Sequence, residues 1–216
     1  MPTSSQMSER PSPTATVADT RTQRLNMVES QVRPSDVTDR RLLRAISDIP
    51  RENFVPEFAR SIAYMDGAVP LERGRNPREL MSVRTFARLV QLADIPEAGT
   101  VLEIGCGTGY GLAVLSRLAK RVVGVETNPD LAAAAKANLA ALGVTNVDVV
   151  AAPLTAGSDA NGPYDAIIVS GAVSEMPAAL LDQLKDGARL VAVRNVSGVG
   201  KATAWVRSGT RFDARD

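Results

Sequence analysis

Hydrophobic and polar positions follow two different patterns on either side of Gly99. Before this residue, apolar side chains recur at the spacing of amphipathic helices. After it, short and continuous apolar runs alternate with helical segments. Continuous apolar runs are typical of strands buried on both faces, so the second part of the chain predicts a parallel sheet covered by helices.

The part of the chain before Gly99 is predicted to be a polar tail followed by helices. Residues 1–23 are rich in Ser, Thr and Pro and have no apolar periodicity, which favours a mobile, disordered tail. Residues 24–98 form a predicted helical region on the substrate side. Its expected elements are a helix capped by Thr38 or Asp39 and ending before Pro50, a short helix over 54–58, a loop over 66–77 and an amphipathic helix over 80–93.

The part after Gly99, residues 99–216, is predicted to fold with the helical region as one globular unit. The expected strands are 101–104, 122–125 ending at Glu126, 147–150, 166–169 and 190–193. The expected helices are 110–119, 131–142 with a stop at Gly143, and 178–184 before a stop at Gly187. Residues 201–206 and 211–216 flank Ser208-Gly209-Thr210 and favour a final hairpin.

The first predicted strand runs into a glycine-rich turn, Gly105-Cys106-Gly107-Thr108-Gly109. Glycines permit positive φ angles and let the backbone approach a ligand that a Cβ would obstruct. The spacing differs from the dinucleotide pattern G-x-G-x-x-G, because Tyr110 stands where that pattern needs its third glycine. Without a pyrophosphate to cradle, such a loop suits the amino-acid part of a smaller cofactor.

Two carboxylates accompany this turn. Glu126 ends the second strand, where a carboxylate can accept hydrogen bonds from both hydroxyls of a ribose. Glu103 lies inside the first strand among apolar residues, which is costly unless a cationic ammonium or backbone amides pair with it.

Composition narrows the chemistry. The 216 residues contain 25 Lys and Arg against 24 Asp and Glu, which gives no global attraction to nucleic acid or to an anionic membrane. The absence of histidine excludes Ser-His-Asp and Cys-His nucleophile systems and histidine-bound metals, and no metal is predicted. Cys106 is the only cysteine and is interpreted as a small residue in a tight loop. Because no secretory signal or membrane-length apolar run is present, a cytoplasmic location is expected.

The glycine turn with its two acids resembles the class I S-adenosylmethionine-dependent methyltransferases. The resemblance implies an α/β fold, namely a doubly wound, mostly parallel, seven-stranded Rossmann-like sheet with an N-terminal helical extension. It also implies S-adenosyl-L-methionine as cofactor. The predicted cofactor-binding residues are Glu103, Gly105, Cys106, Gly107, Thr108, Gly109, Tyr110 and Glu126.

Outside the cofactor turn, the chain resembles the protein-L-isoaspartate O-methyltransferase family from Met27 to Arg215. The matching stretches are 39–56 (DRRLLRAISDIPRENFVP), 63–71 (AYMDGAVPL) and 163–194, which contains YDAIIVSGAVSEMPAALLDQLKDGARLVAVR. The resemblance implies methyl transfer to the free carboxylate of isoaspartyl residues in damaged proteins. A carboxylate with a pKa of about 3.5 is already ionised at neutral pH, so the reaction requires no general base and suits a chain without histidine.

The chain departs from the family pattern on the acceptor side. Residues 72–83 (ERGRNPRELMSV) form a longer segment than the family's and place Met81 at the family's serine, with Ser82 adjacent. Ser82 is the predicted catalytic contact, with a helix N-cap as the alternative role. The family's acid after the third strand, which helps to hold adenine, is replaced by Ala151-Ala152-Pro153.

These departures leave three hypotheses open. The chain is an isoaspartyl methyltransferase with a modified acceptor loop, a methyltransferase of the same lineage acting on another carboxylate or a small molecule, or a catalytically impaired cofactor-binding or interaction protein. Four arginines of the acceptor segment either attract a carboxylate-bearing peptide or form a solvated charged loop. These are Arg73, Arg75, Arg78 and Arg84. The oligomeric state is not predicted.

Overall fold

The computed structural model describes residues 17–215, in which helices precede and then alternate with strands. The α-helices are α1 (Val17–Met27), α2 (Arg40–Asp48), α3 (Val83–Ala93), α4 (Tyr110–Leu115), α5 (Pro129–Ala141) and α6 (Ala178–Leu181). The strands are β1 (Val69–Pro70), β2 (Glu79–Leu80), β3 (Thr100–Ile104), β4 (Arg121–Glu126), β5 (Val147–Ala151), β6 (Tyr164–Val173), β7 (Leu184–Val196), β8 (Val199–Ser208) and β9 (Arg211–Arg215).

The main sheet has seven strands in the order β5-β4-β3-β6-β7-β8-β9. The strands from β5 to β7 are parallel, and β8 and β9 complete the sheet as antiparallel strands. The predicted fold class is therefore confirmed, including the final hairpin. The strand order reverses at β3, which is the place where doubly wound sheets bind ligands.

Both faces of the sheet are covered, which explains why its strands are continuous apolar runs. On β3, Val101 belongs to the core formed with the N-terminal helices, whereas Leu102 and Ile104 belong to a second core that includes Leu180 of α6. All three β3 side chains are buried. Alternate side chains of one strand thus pack on opposite faces of the sheet. Burial of apolar surface stabilises each face by about 25 cal/mol per Å².

The helical region is more extensive at its start than predicted. Residues 17–23 were expected in the tail but lie in α1; the rest of that predicted tail, residues 1–16, lies outside the described residues. Polar contacts hold this helix: the Arg24 Nε donates to the Ser47 carbonyl over 2.8 Å, and Arg24 lies 3.7 Å from the Glu52 carboxylate. Apolar periodicity does not detect a helix that is held in this way.

Other boundaries were displaced by local hydrogen bonding. The short helix predicted over 54–58 is replaced by two 3₁₀ turns, Arg51–Phe54 and Glu57–Ile62. The helix predicted from Leu80 begins at Val83, because Leu80 pairs with Val69 in the β1–β2 hairpin and Ser82 is the N-cap.

Two predicted helices are shorter in the structure, and one predicted stop is wrong. Helix α4 ends at Leu115 and helix α6 ends at Leu181. The predicted stop at Gly187 lies within β7, at a register irregularity opposite β6. No helix among residues 17–215 has the length and apolarity needed to cross a bilayer.

Candidate active site

The glycine turn follows β3 at the point where the strand order reverses. Gly105, Gly107 and Gly109 have φ values of 75°, 54° and 92°, a region that side chains other than glycine rarely adopt. The Gly105 and Cys106 amides donate to the Val125 carbonyl over 2.8 and 3.2 Å, which fixes the turn against β4. The turn is therefore a backbone surface with few side chains to obstruct a ligand.

Glu126 ends β4 directly beside this turn, at the strand end where the sequence predicts it. Its side chain is fully buried. The carboxylate accepts hydrogen bonds from the Gly107, Thr127 and Asn128 amides over 2.9, 2.9 and 3.0 Å. Backbone donors thus hold the acid in one orientation.

Arg78 is a part of the site whose role the sequence did not indicate. Its Nη1 and Nη2 donate to the two carboxylate oxygens of Glu126 over 2.9 and 3.0 Å. The Arg78 side chain is 32% exposed, so the ion pair closes the crevice from its solvent side. The acceptor segment thereby reaches across the predicted cofactor site.

Glu103 lies beneath the first turn of α4. The Ser170 hydroxyl donates to its Oε1 over 2.6 Å, whereas its Oε2 is buried and has no hydrogen-bond partner within residues 17–215. Burial raises the pKa of Glu103 to about 8; the Ser170 hydrogen bond opposes this shift, and the charge of Glu126 adds to it. The missing partner fits the earlier expectation that a cation pairs with this acid.

Gly111 makes room for Glu103 and was not predicted as a site residue. A Cβ at position 111 would lie 2.1 Å from Glu103 Oε1, far inside contact distance. The sequence does show a glycine directly after Tyr110. Its role could not be predicted, because it depends on α4 lying directly on β3.

The other predicted cofactor residues face different surroundings. Cys106 is buried, and its Sγ lies 3.1 Å from where a Cβ of Gly124 would be; burial raises the pKa of its thiol. The Thr108 hydroxyl donates to the Phe54 carbonyl. Gly109 packs against Ala135 of α5.

Tyr110 is directed into the helical layer. Its ring packs edge-on against Phe54 at 5.6 Å, and the Arg51 guanidinium lies 4.7 Å from its centroid. The small space over the turn is nevertheless lined by Glu103, Gly105, Cys106, Gly107 and Tyr110. Glu126 lies beside that space and binds the Gly107 amide.

A second cavity of about 330 Å³ adjoins the crevice on the acceptor side. Ser82, the predicted catalytic contact, lines it at the start of α3. Its Oγ lies 2.9 Å from the Thr85 hydroxyl oxygen and accepts from the Thr85 amide over 3.4 Å, so Ser82 also has the N-cap role. The Met81 carbonyl beside it accepts from the buried Arg51 over 2.8 Å.

The four arginines of the acceptor segment do not share one surface. Arg73 lies over the Phe58 ring at 4.4 Å, and Arg84 pairs with Asp66 at 3.5 Å. Arg75 is exposed, whereas Arg78 binds Glu126. Both readings of these arginines therefore stay predictions, and Arg84 is the member that lines the acceptor cavity.

The residues around the turn fit an adenosyl cofactor with an amino-acid end. A backbone-lined turn, a strand-end acid for ribose hydroxyls and a buried acid lacking a cation meet at the switch point of a seven-stranded sheet. Arg78 and the neighbouring Leu71 are the side chains that have to move for such a ligand to enter. This fold and site define the class I S-adenosylmethionine-dependent methyltransferases.

Comparison with known proteins identifies the family. The model of the protein-L-isoaspartate(D-aspartate) O-methyltransferase family matches residues 22–205, and the chain belongs to this family. A protein-L-isoaspartate O-methyltransferase of Methanoculleus marisnigri is 42% identical over 80% of this chain and 77% of the relative. An Anaeromyxobacter enzyme of the same name is 38% identical over 88% of this chain and 77% of the relative.

Solved structures agree with this assignment. A protein-L-isoaspartate O-methyltransferase structure superposes with a TM-score of 0.77 at 28% identity over 89% of this chain, which spans 61% of that longer chain. A Plasmodium falciparum protein, described as a beta-aspartate methyltransferase and solved with S-adenosyl-L-homocysteine, shares the fold at 18% identity with a TM-score of 0.73. The chain is thus an S-adenosylmethionine-dependent O-methyltransferase of the isoaspartyl repair family.

Proposed function

We propose that the crevice and its adjoining cavity together methylate the free carboxylate of isoaspartyl residues in damaged proteins. Glu126 would bind the ribose hydroxyls of the cofactor, and Glu103 would face its ammonium group. The isoaspartyl carboxylate would enter through the cavity lined by Ser82. The bound cofactor supplies an electrophilic methyl group on a sulfonium sulfur.

One observation carries this proposal: the cofactor crevice and the acceptor cavity share walls. Glu79, Met81 and Ser170 line both spaces. Methyl transfer requires an acceptor oxygen in line with the methyl group at contact distance, so two separate ligands have to meet at such a shared boundary. Ser170 of β6 lies at this meeting point.

The side chains of the acceptor cavity suit a substrate that is already charged. A carboxylate with a pKa of about 3.5 is ionised at neutral pH, so the protein has only to orient it. The hydroxyls of Ser82 and Thr85 and the first amides of α3 are neutral donors at a helix N-terminus, which favours an anion. Neutral donors orient the carboxylate without removing its nucleophilicity.

The acceptor class and location are further parts of the proposal. Protein acceptors, rather than nucleic acid or membrane lipid, are supported by the near balance of 25 basic and 24 acidic side chains. A cytoplasmic location is supported by the buried, free Cys106 thiol, which suits a reducing compartment.

The test is transfer of a radiolabelled methyl group to an isoaspartyl peptide and to its aspartyl twin. We expect label only on the isoaspartyl peptide. Gly105→Val should abolish transfer, because its side chain would enter the crevice beside Ser170. Gly187→Val is the matched control: Gly187 has a similar φ of 76°, but its Cβ would meet open space.

Each outcome has a distinct meaning. Transfer to neither peptide, with S-adenosyl-L-homocysteine still bound, would contradict the isoaspartyl assignment and favour a small-molecule acceptor. Equal transfer to both peptides would show that the cavity does not recognise the isoaspartyl linkage. If Gly105→Val were active, the crevice would not be the site of methyl transfer.

A further inference from the structure

We propose that Arg78 competes with the cofactor for Glu126 and thereby sets the cofactor affinity of this enzyme. The inference rests on the proposed function, because it takes Glu126 to be the ribose-binding acid. It concerns the acceptor segment, residues 69–84, which contains the stretch 72–83 where the chain departs from its family. In the structure, Arg78 of this segment binds the carboxylate that is proposed to hold the ribose.

The contact between Arg78 and Glu126 has the geometry of a strong ion pair. Both terminal nitrogens of Arg78 donate, each to a different oxygen of Glu126, over 2.9 and 3.0 Å. A parallel bidentate pair of this kind is stronger than hydrogen bonds between neutral groups. The ribose hydroxyls would offer neutral donors to the same two oxygens, so the two partners exclude each other.

The crevice is too small for a cofactor while the segment is in place. The space over the glycine turn measures about 10 Å³, room for about one water molecule. Arg78 Nη2 lies 3.4 Å from the Cβ position of Gly105, and Leu71 Cδ1 lies 3.0 Å from that of Gly107. Both side chains therefore have to leave before a nucleoside with an amino-acid end can bind.

The acceptor segment is attached in a way that permits such movement. Its strands β1 and β2 contain two residues each, and the turn between them is mostly exposed. The Leu71 amide donates to the Arg78 carbonyl over 2.8 Å, so the two displaced side chains belong to one hairpin. Glu72 Oε1 accepts from the Asn128 side chain over 2.7 Å. Leu71 and Leu80 anchor the hairpin in the core, so the exposed turn between them, which carries Arg78 at its end, is the part that opens at low free-energy cost.

The consequence is a measurable loss of apparent affinity. When only a fraction of molecules has an open site, the apparent dissociation constant is the intrinsic one divided by that fraction. Release of Arg78 should therefore tighten cofactor binding, although Arg78 lies in the site. A residue that merely built the pocket would have the opposite effect.

The test is calorimetric titration of S-adenosyl-L-homocysteine into the full chain. Arg78→Ala should bind about tenfold more tightly than the wild type, as expected for loss of a partly exposed bidentate ion pair. Arg78→Gln, which retains most of the packing, should also bind more tightly. Arg75→Ala removes the same charge from the same turn at an exposed position and should bind like the wild type.

A double-mutant cycle shows whether Arg78 acts through Glu126. In a Glu126→Gln background, Arg78→Ala should change the affinity by less than about twofold, because the competing carboxylate is gone. A tenfold gain that persists in that background would overturn the proposed route.

The remaining outcomes separate this proposal from the assignment of function. If all variants bind, but both Arg78 variants bind as the wild type does or more weakly, the competition is wrong and the cofactor site stands. If folded Arg78→Ala and Arg75→Ala both fail to bind S-adenosyl-L-homocysteine, competition and cofactor site fall together. Circular dichroism confirms that each variant is folded.

Discussion

The two walls of the crevice, the glycine turn on one side and the acceptor segment on the other, are held in place by different means. The glycine turn is fixed by β3 and β4, whose parallel pairing runs from Thr100 opposite Arg121 to Ile104 opposite Val125. The acceptor segment reaches the core through Val69, Leu71 and Leu80, whereas its exposed turn is held by one short hairpin and by the contact between Arg78 and Glu126. One wall is thus fixed by five pairs of residues between central strands, and the other is a two-pair hairpin with an exposed turn.

This difference assigns the two walls different parts in the reaction. A cofactor shared by many enzymes needs a rigid surface, and backbone amides between buried strands provide one. An acceptor segment in contact with the cofactor acid couples the two sites, because whatever displaces Arg78 also rearranges the wall of the acceptor cavity. The variants below change one wall at a time.

The largest effect on stability is expected beside the glycine turn, where Gly111 leaves no space between α4 and Glu103. Gly111→Ala would place a methyl group 2.1 Å from Glu103 Oε1, and both groups are buried. Relief requires a shift of α4 or of Glu103, and we expect a loss of about 3 kcal/mol in the free energy of unfolding. Chemical denaturation of the variant and the wild type measures this loss of stability.

Gly171→Ala is the control for this prediction, since a Cβ at position 171 meets open space. It should leave stability nearly unchanged. If Gly111→Ala were as stable as the control, α4 would not press on Glu103, and the rigidity assigned to this wall would be wrong.

The rigid wall is also the part that could be predicted from the sequence. Strand ends of a parallel sheet meet at one edge, so the positions of Gly105 and Glu126 follow from two apolar runs and the residues after them. The N-cap of α2 by Asp39 is equally local: its side chain accepts from the Arg41 and Leu42 amides. Local hydrogen bonds and strand pairing restrict the backbone at these residues, so their positions could be predicted from the sequence.

The contact made by the acceptor segment could not be predicted, for a physical reason. Arg78 and Glu126 lie 48 positions apart, and their contact depends on the path of a hairpin that has only two residues in each strand. Among four arginines in this part of the chain, no local pattern distinguishes the one that reaches the acid. The course of β7 through Gly187 was missed similarly, because β7 pairs with β6 on both sides of a glycine that resembles a helix stop.

A smaller effect, dependent on pH, should come from the buried acid of the rigid wall. Burial raises the pKa of Glu103 from 4.5 to about 8 in the folded protein. Its contribution to stability is therefore fully present below about pH 4.5 and is lost as the pH rises through about 8. The stability of the wild type relative to Glu103→Gln should fall by about 2 kcal/mol between pH 6 and pH 8.

Denaturation series at several pH values measure this difference, and Glu175→Gln, at an exposed glutamate, is the control. The control should show almost no change with pH relative to the wild type. A flat difference for Glu103→Gln would mean that Glu103 is ionised in the folded protein, which would require a cationic partner in the unliganded state.

The smallest effect tests the acceptor wall, where Ser82 has two candidate roles. Ser82→Ala removes the N-cap of α3 and should lower the free energy of unfolding by about 1 kcal/mol. Ser82→Asp retains a good N-cap and should restore that stability, but it adds a negative charge to the cavity that would receive a carboxylate. If Ser82 touches the acceptor, Ser82→Asp should raise the KM for the isoaspartyl peptide more than Ser82→Ala does, while the affinity for S-adenosyl-L-homocysteine stays unchanged. If the KM for the peptide instead changes only as the stability of the variants changes, Ser82 does no more than cap the helix. The Thr85 hydroxyl and the first amides of α3 then remain as the donors that orient the carboxylate.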